Sequence, residues 1–335
     1  MLVSITTPRR FFPAHRRTTM NDVSRRAFLA TGIATGAVAV SGKPTEASEV
    51  VPKQAMAPGK IRKIKDELYS DKTYDAIWYL ANCGFVIRIA GTYLFIDPVL
   101  RLDNPEYIDL RNRAIKTGND MEDRFYLPEE LYVQAPDLCL LGTEVLKADY
   151  VLLSHEHTDH FDQRSIKDIA HHHPTVVAPK SCHAGLNRAG IGQTRIVEAQ
   201  YGSKFKFENC TVEVIYAEHS PGACGFLIET KYGNFYYPGD TLFDHPHKKT
   251  IFDLKVDYFL IPINDTGIGV GFAALLTQIL QPKVVIPCHY GFYHPPIISQ
   301  GGHPAEFVTA IAARDYMLGN TDIVILNPGG KYVLA

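Results

Sequence analysis

The sequence predicts an α+β sandwich in which two mixed sheets face each other with helices outside. Three observations predict it. Strand-length apolar runs come in two dense series, over residues 76–96 and 204–237, each series is followed by segments of helical spacing, and short turn signals join the strands within each series. The two halves follow the same plan, and no repeat of solenoid length is present. At 335 residues, 46% hydrophobic and 21% charged, the chain can bury a core of this size.

The first series holds strands at Ala76 to Leu80, Gly84 to Ile89 and Thr92 to Ile96, with Ala90-Gly91 as a hairpin turn. Residues 97–147 then lose clear periodicity and collect Asn, Asp, Arg, Tyr and Pro, with helical pieces near Pro128 to Tyr132. Such an excursion is either a lid or substrate loop or a plain surface insertion. Beyond the apolar run at Tyr150 to Leu153 come a helix at Gln163 to Ala170, a strand at Thr175 to Ala178 and a helical turn at Ser181 to Leu186. The second series predicts strands at Lys204 to Glu208, Thr211 to Ala217, Cys224 to Glu229 and Asn234 to Tyr237. Next are a strand at Val256 to Ile263, a helix at Gly271 to Leu280, a strand at Lys283 to Ile286 and a helix at Pro304 to Leu318. Strands at Asp322 to Leu326 and Lys331 to Leu334 close the chain.

The N-terminus reads as an address. Ser24-Arg25-Arg26-Ala27-Phe28-Leu29 resembles a twin-arginine export motif, followed by a weakly apolar stretch to Val40, Lys43 and a cleavage signal ending at Ala47. Residues 1–47 are therefore expected to be a signal peptide, with Met20 as an alternative start, residues 48–72 a linker, and residues 73–335 the folded domain. Export through the twin-arginine machinery implies a periplasmic or secreted protein. The apolar stretch is shorter than the roughly 18–20 residues that span a bilayer. Seven of the 34 Lys and Arg but only two of the 36 Asp and Glu lie in residues 1–47, so the remainder has an acidic excess of seven. No basic field for phosphate backbones follows from that, which argues against a nucleic-acid partner. The six cysteines are scattered singly, so neither a zinc ribbon nor a dithiol redox motif is present, and Cys288 reads as a small buried residue after a strand.

Chemistry concentrates in Ser154-His155-Glu156-His157-Thr158-Asp159-His160, directly after an apolar run. In an extended loop His155 and His157 project to one side, while Asp159 and His160 can face a second position. Two divalent ions are the expectation, zinc first, with manganese or iron as alternatives, because imidazole and carboxylate are borderline ligands. Further ligands belong where strands end, since rigid strands position such loops. Three apolar runs qualify: one leads to His219, one to Asp240 and one to His289.

Together these motifs resemble the metallo-β-lactamase superfamily over nearly all of residues 75–335, and most closely its ascorbate-6-phosphate lactonase branch. The carriers are the strands ending in Asp97, the His155 to His160 cluster, His219, Tyr237-Pro238-Gly239-Asp240-Thr241 and Lys283 to Gly291. The resemblance implies an αββα sandwich with metals at one sheet edge. By the same resemblance, His155, His157 and His219 hold the first ion, and Asp159, His160 and His289 the second. Asp240 bridges them and Asp97 supports the cluster by hydrogen bonding. A water between the ions loses its proton near neutral pH and becomes the nucleophile, which Asp159 also orients as the catalytic carboxylate.

Two segments depart from that branch. Asn82 stands where many relatives carry histidine, in a position expected to face the pocket, and Asn264 to Gly271 lacks the Met-Gly-x-x-Asp/Glu-Ala pattern. Tyr290 and His294 follow a ligand closely and are further substrate candidates. The triplet His171-His172-His173 reads as a helix end and His245 and His247 as a solvated loop. The resulting expectation is an exported hydrolase of a small ester, lactone or phosphodiester. The alternatives are a membrane-lipid phosphodiesterase of phospholipase type, with membrane lipid as a partner, and a non-catalytic metal-dependent binding protein. Flavin-linked relatives carry glutamate at the position of His157, and RNA-processing relatives need an inserted domain that this chain lacks.

Overall fold

The computed structural model describes residues 62–70, 74–101, 138–242, 248–264, 268–290, 304–312 and 321–335. The expected signal peptide, most of the 97–147 excursion, and the residues around His245, His247 and His294 lie outside them. Strand β1 (Ala76–Ala81), β2 (Gly84–Ile89) and β3 (Thr92–Ile96) form an antiparallel meander. On β3 the first sheet continues in parallel through β4 (Tyr150–Leu152), β5 (Thr175–Ala178) and β6 (Ile196–Glu198). The last strand, β14 (Lys331–Val333), closes its other edge against β1.

The second sheet repeats the plan. Strands β7 (Lys204–Lys206), β8 (Thr211–Tyr216), β9 (Cys224–Thr230) and β10 (Gly233–Tyr237) pair antiparallel, and β11 (Tyr258–Pro262), β12 (Val284–Cys288) and β13 (Asp322–Ile323) add in parallel. Both sheets are therefore mixed, as expected.

Alternation along the strands sorts residues into layers. Ile77, Tyr79, Phe85, Ile87, Leu94 and Ile96 face inward to a core shared with Val212, Phe226 and Phe235 of the second sheet. Trp78, Val86, Phe95 and Val151 face outward and are covered by Ile166 and Ile169 of α2 (Gln163–Ile169) and Leu186 of α3 (Lys180–Arg188). On the second sheet α5 (Val270–Leu280) and α6 (Pro304–Ala312) contribute Ala273, Leu276, Phe307 and Ile311 to the core.

Several expectations shift. A single helical turn, α1 (Lys65–Leu68), lies in the expected linker with Ile64 and Leu68 buried. The sequence reading missed β6 and α4 (Lys248–Phe252). The strand expected to stop at Ile286 runs on through Pro287 to Cys288, so Cys288 is strand rather than loop, and it is fully buried. Proline is tolerated there because the neighbour β13 pairs only with Val284 and Val285, which leaves Pro287 with β11 alone beside it.

Candidate metal centre

Topology brings the chemistry to one edge. Strands β3 and β4 are parallel, so Asp97 and the Ser154–His160 turn leave the first sheet at the same end. In the second sheet β10, β11 and β12 are parallel and deliver Asp240, Asn264 and His289 to a common end. Strand β8, two antiparallel steps from β10, delivers His219 there as well. Asp162 caps α2 through the backbone N–H groups of Arg164 and Ser165, which ends the histidine turn where the helix must begin.

The predicted residues fall into two adjoining sets. His155 Nε2 lies 3.1 Å from His157 Nδ1, and His219 Nε2 lies 3.1 Å from the same atom. Three nitrogens on a tetrahedral zinc are about 3.3 Å apart, given Zn–N bonds of about 2.0–2.1 Å. In the second set the carboxylate of Asp159 is 3.4 Å from His289 Nε2 and 3.7 Å from His160 Nε2. Asp240 Oδ2 is 3.4 Å from His289 Nε2 and 4.0 Å from His219 Nε2, so this one carboxylate spans both sets.

Hydrogen bonds decide which nitrogen each ring offers. Asp97 is fully buried; its carboxylate accepts from Ser154 N at 2.7 Å, Ser154 Oγ at 2.5 Å, His160 Nδ1 at 2.8 Å and Tyr237 Oη at 2.6 Å. A carboxylate only accepts, so His160 carries its proton on Nδ1 and turns the Nε2 lone pair into the site. The single hydroxyl proton of Ser154 is spent on Asp97. Ser154 Oγ must then accept from His155 Nδ1, 2.9 Å away, which leaves His155 Nε2 as the ligand atom. Asn264, fully buried, donates to Asp240 Oδ2 at 3.4 Å.

Electrostatics describe a cage built for positive charge. Burial, then the neighbouring His160, pushes His155 well below the ordinary imidazole value. Burial also depresses His219. Against the pull of burial, Cys83 and the Asp159 and Asp240 carboxylates hold His160 and His289 well above it. Burial would raise Asp240, but His289 and His160 hold it well below the carboxylate range. Buried His160 Nε2, Asp240 Oδ1 and both nitrogens of His289 nevertheless make no hydrogen bond. Orphaned buried polar atoms are costly, and a divalent ion would satisfy His160 Nε2, Asp240 Oδ1 and one nitrogen of His289 together, so the residues fit the implied metal.

The structure also holds what sequence reasoning did not assign. Cys83, fully buried, places its sulfur with the ligand atoms of His160, Asp240 and His289, all four mutually within 4.8 Å. The available signal was its position in a strand-end turn, the placement shared by the residues predicted as ligands. Asn82 is 4% exposed, and its side-chain amide donates to the Asp159 carbonyl at 2.6 Å. Tyr290 is 1% exposed and its hydroxyl donates to the Leu326 carbonyl at 2.7 Å. His171 satisfies the Asp168 carbonyl in the last turn of α2, as helix-end residues do, and His172 reaches the Val145 carbonyl of another segment.

Backbone strain clusters here too. Non-glycine residues with positive φ include Asn82 at 51°, Asp97 at 39° and His289 at 68°, each at a strand end beside the site. Gly239, next to Asp240, has φ of 60°, and a Cβ there would meet the Cys224 carbonyl oxygen at 2.8 Å and Ser154 Cβ at 2.9 Å. Gly239→Ala is expected to cost about 2 kcal/mol and to displace Asp240, read as a lower thermal midpoint with reduced bound metal.

Comparison with known proteins agrees with this geometry. Residues 76–289 match the family model of the β-lactamase superfamily domain, ending on His289 itself. A UPF0173 protein of Pyrococcus abyssi is 30% identical over 69% of this chain and 86% of its own length. A UPF0173 metal-dependent hydrolase of Symbiobacterium thermophilum is 28% identical over 61% of this chain and 89% of its own. Among solved structures, the metallo hydrolase Igni18 of Ignicoccus hospitalis shares the fold, with a TM-score of 0.54 at 19% identity over 78% of this chain and 99% of its own. The matched domain, these relatives and the two mixed sheets place the chain in the metallo-β-lactamase superfamily, as a member of its UPF0173 family of metal-dependent hydrolases.

Proposed function

We propose that the protein is an exported hydrolase with two divalent ions that cleaves a small ester, lactone or phosphodiester. The observation that carries this reading is Asp240 spanning two adjoining ligand sets whose ring tautomers are fixed by Asp97 and Ser154. Bound divalent ions, zinc above all, supply a hydroxide near neutral pH and polarise a carbonyl or phosphoryl oxygen. The chain's own residues do the rest. Asp159 is the most solvent-reached carboxylate of the second set, with 19% of its side chain exposed, and orients the attacking oxygen. A groove of about 560 Å³ opens beside His219, with Tyr201, Tyr216, Glu218 and Pro221 among its walls, and holds the substrate beyond the first set. Export rests on the twin-arginine motif at Arg25 and Arg26; among the described residues no helix is long and apolar enough to cross a membrane.

Metal analysis of purified protein should find two ions per chain. His155→Ala should lose one of them and lower hydrolysis by more than about 100-fold in a screen of esters, lactones, phosphodiesters and lipid headgroups. Fewer than one ion per chain in the wild type, or unchanged hydrolysis in the variant, would sink the proposal.

A further inference from the structure

We infer that Cys83 is a ligand of the second ion, adding a thiolate to His160, Asp240 and His289 of the second set. The inference deepens the two-ion reading above and rests on it. Its first support is convergence. One ligand atom from each of these four buried residues lies within 4.8 Å of the other three, and tetrahedral coordination needs sulfur and nitrogen about 3.5 Å apart, given Zn–S of about 2.3 Å. A contraction of at most about 1.3 Å closes the set.

The second support is independent of the cysteine. His160 Nε2, Asp240 Oδ1 and His289 Nε2 are buried, lack hydrogen-bond partners and share this space with the sulfur. An ion seated in that shared space would partner all three, and the sulfur lies within reach of the same ion.

The third is how the turn is held. Ala81 has φ of 127° and Asn82 of 51°, and Cys83 follows them directly. The Asn82 carbonyl accepts the backbone N–H of His289 at 2.5 Å, and the Asn82 N–H donates to the Tyr290 carbonyl at 2.7 Å. The Tyr79 hydroxyl sits between the Asn82 and Tyr290 carbonyls. Through the Asn82 side chain, the same turn also holds the Asp159 carbonyl. The strained turn thus fixes Cys83 to the strand end that carries His289, as the positioning of two ligands of one ion requires. This gives Asn82 its role in this chain: a positioning residue for three ligand-bearing segments.

A soft thiolate changes which metal the site prefers. Zinc and cobalt accept sulfur readily, whereas manganese and magnesium favour oxygen. The neighbouring thiol of Cys288, also fully buried and close enough to interact with Cys83, offers the competing arrangement, a Cys83–Cys288 disulfide.

The test uses the full chain, reduced, stripped with a chelator and reloaded with cobalt(II). Wild type should take up two cobalt ions and show a sulfur-to-cobalt charge-transfer band in the near ultraviolet. Cys83→Ser should lose that band and weaken binding of one ion at least about tenfold, while Cys288→Ser keeps the band. If Cys83→Ser does not fold, the readout moves to zinc X-ray absorption on wild type and Cys288→Ser, where a sulfur shell at about 2.3 Å must be present in both. Cobalt uptake without the band, a band that survives Cys83→Ser, or a Cys83–Cys288 disulfide in the metal-loaded protein overturns the inference and leaves the hydrolase reading standing. No cobalt uptake at all overturns both.

Discussion

Asp97→Ala should lower stability by about 3–5 kcal/mol and weaken metal binding by about 10–100-fold, although Asp97 lies behind the ligands. The carboxylate is fully buried and receives four hydrogen bonds, from the Ser154 backbone and hydroxyl, His160 and Tyr237. Alanine leaves all four donors unsatisfied in a place water does not reach. It also frees the Ser154 proton, so neither His155 nor His160 is held in the tautomer that aims Nε2 at an ion. Asp97→Asn separates the two effects. It keeps the size and one accepting oxygen but presents an amide N–H pair to donors, so it should recover part of the stability and little of the metal affinity. At about 2–4 °C per kcal/mol, the alanine variant should melt roughly 10 °C below wild type. An Asp97→Ala protein with wild-type midpoint and full metal content would refute the account of Asp97 as the hub of the site.

The sequence pointed to the candidate ligands because their side chains are expensive anywhere else. His155 and His160 are fully buried and Asp240 is 4% exposed, and polar groups buried together at strand ends need partners such as an ion. The sheets were legible for a related reason. The apolar runs of β1 to β3 and of β8 to β10 are of full strand length, whereas the four residues of α1 are too few to carry a helical period. The proximity of Cys83 to the histidines was only faintly signalled, since a single cysteine between Asn82 and Gly84 looks like a small apolar residue until β12 places His289 near it. Asn82 misled in the opposite direction. Its place in the motif pointed to the pocket, but its φ of 51° turns the amide onto the Asp159 carbonyl, and backbone conformation of that kind is not written in residue type. Asn264, read as part of a flexible substrate loop, is fully buried behind Asp240 because β11 ends beside β10.

Removing the metal should lower the thermal midpoint by about 10 °C for each site emptied, and the loss should grow as the pH is raised. A ligand that binds only the folded state at about 1,000 times its Kd contributes about 4 kcal/mol, and 2–4 °C per kcal/mol converts that to the midpoint. The pH dependence follows from His160 and His289, whose values Cys83, Asp159 and Asp240 hold well above the ordinary one despite burial. In the chelated protein their protons balance the buried negative charge. That contribution is fully present below the unfolded imidazole value of about 6.5 and is lost as pH rises through the raised folded values. With an ion bound, the cation takes over the charge and the rings must be neutral, so the loaded protein does not share the loss, and acid instead competes with the metal. Calorimetry of loaded and chelated protein at roughly pH 6 and roughly pH 8 should show the two midpoints diverging at the higher pH. A gap that is constant or narrows with rising pH would mean that the carboxylates and imidazoles of this cage are not balancing one another's charge, and the second set would lose its claim to a divalent ion.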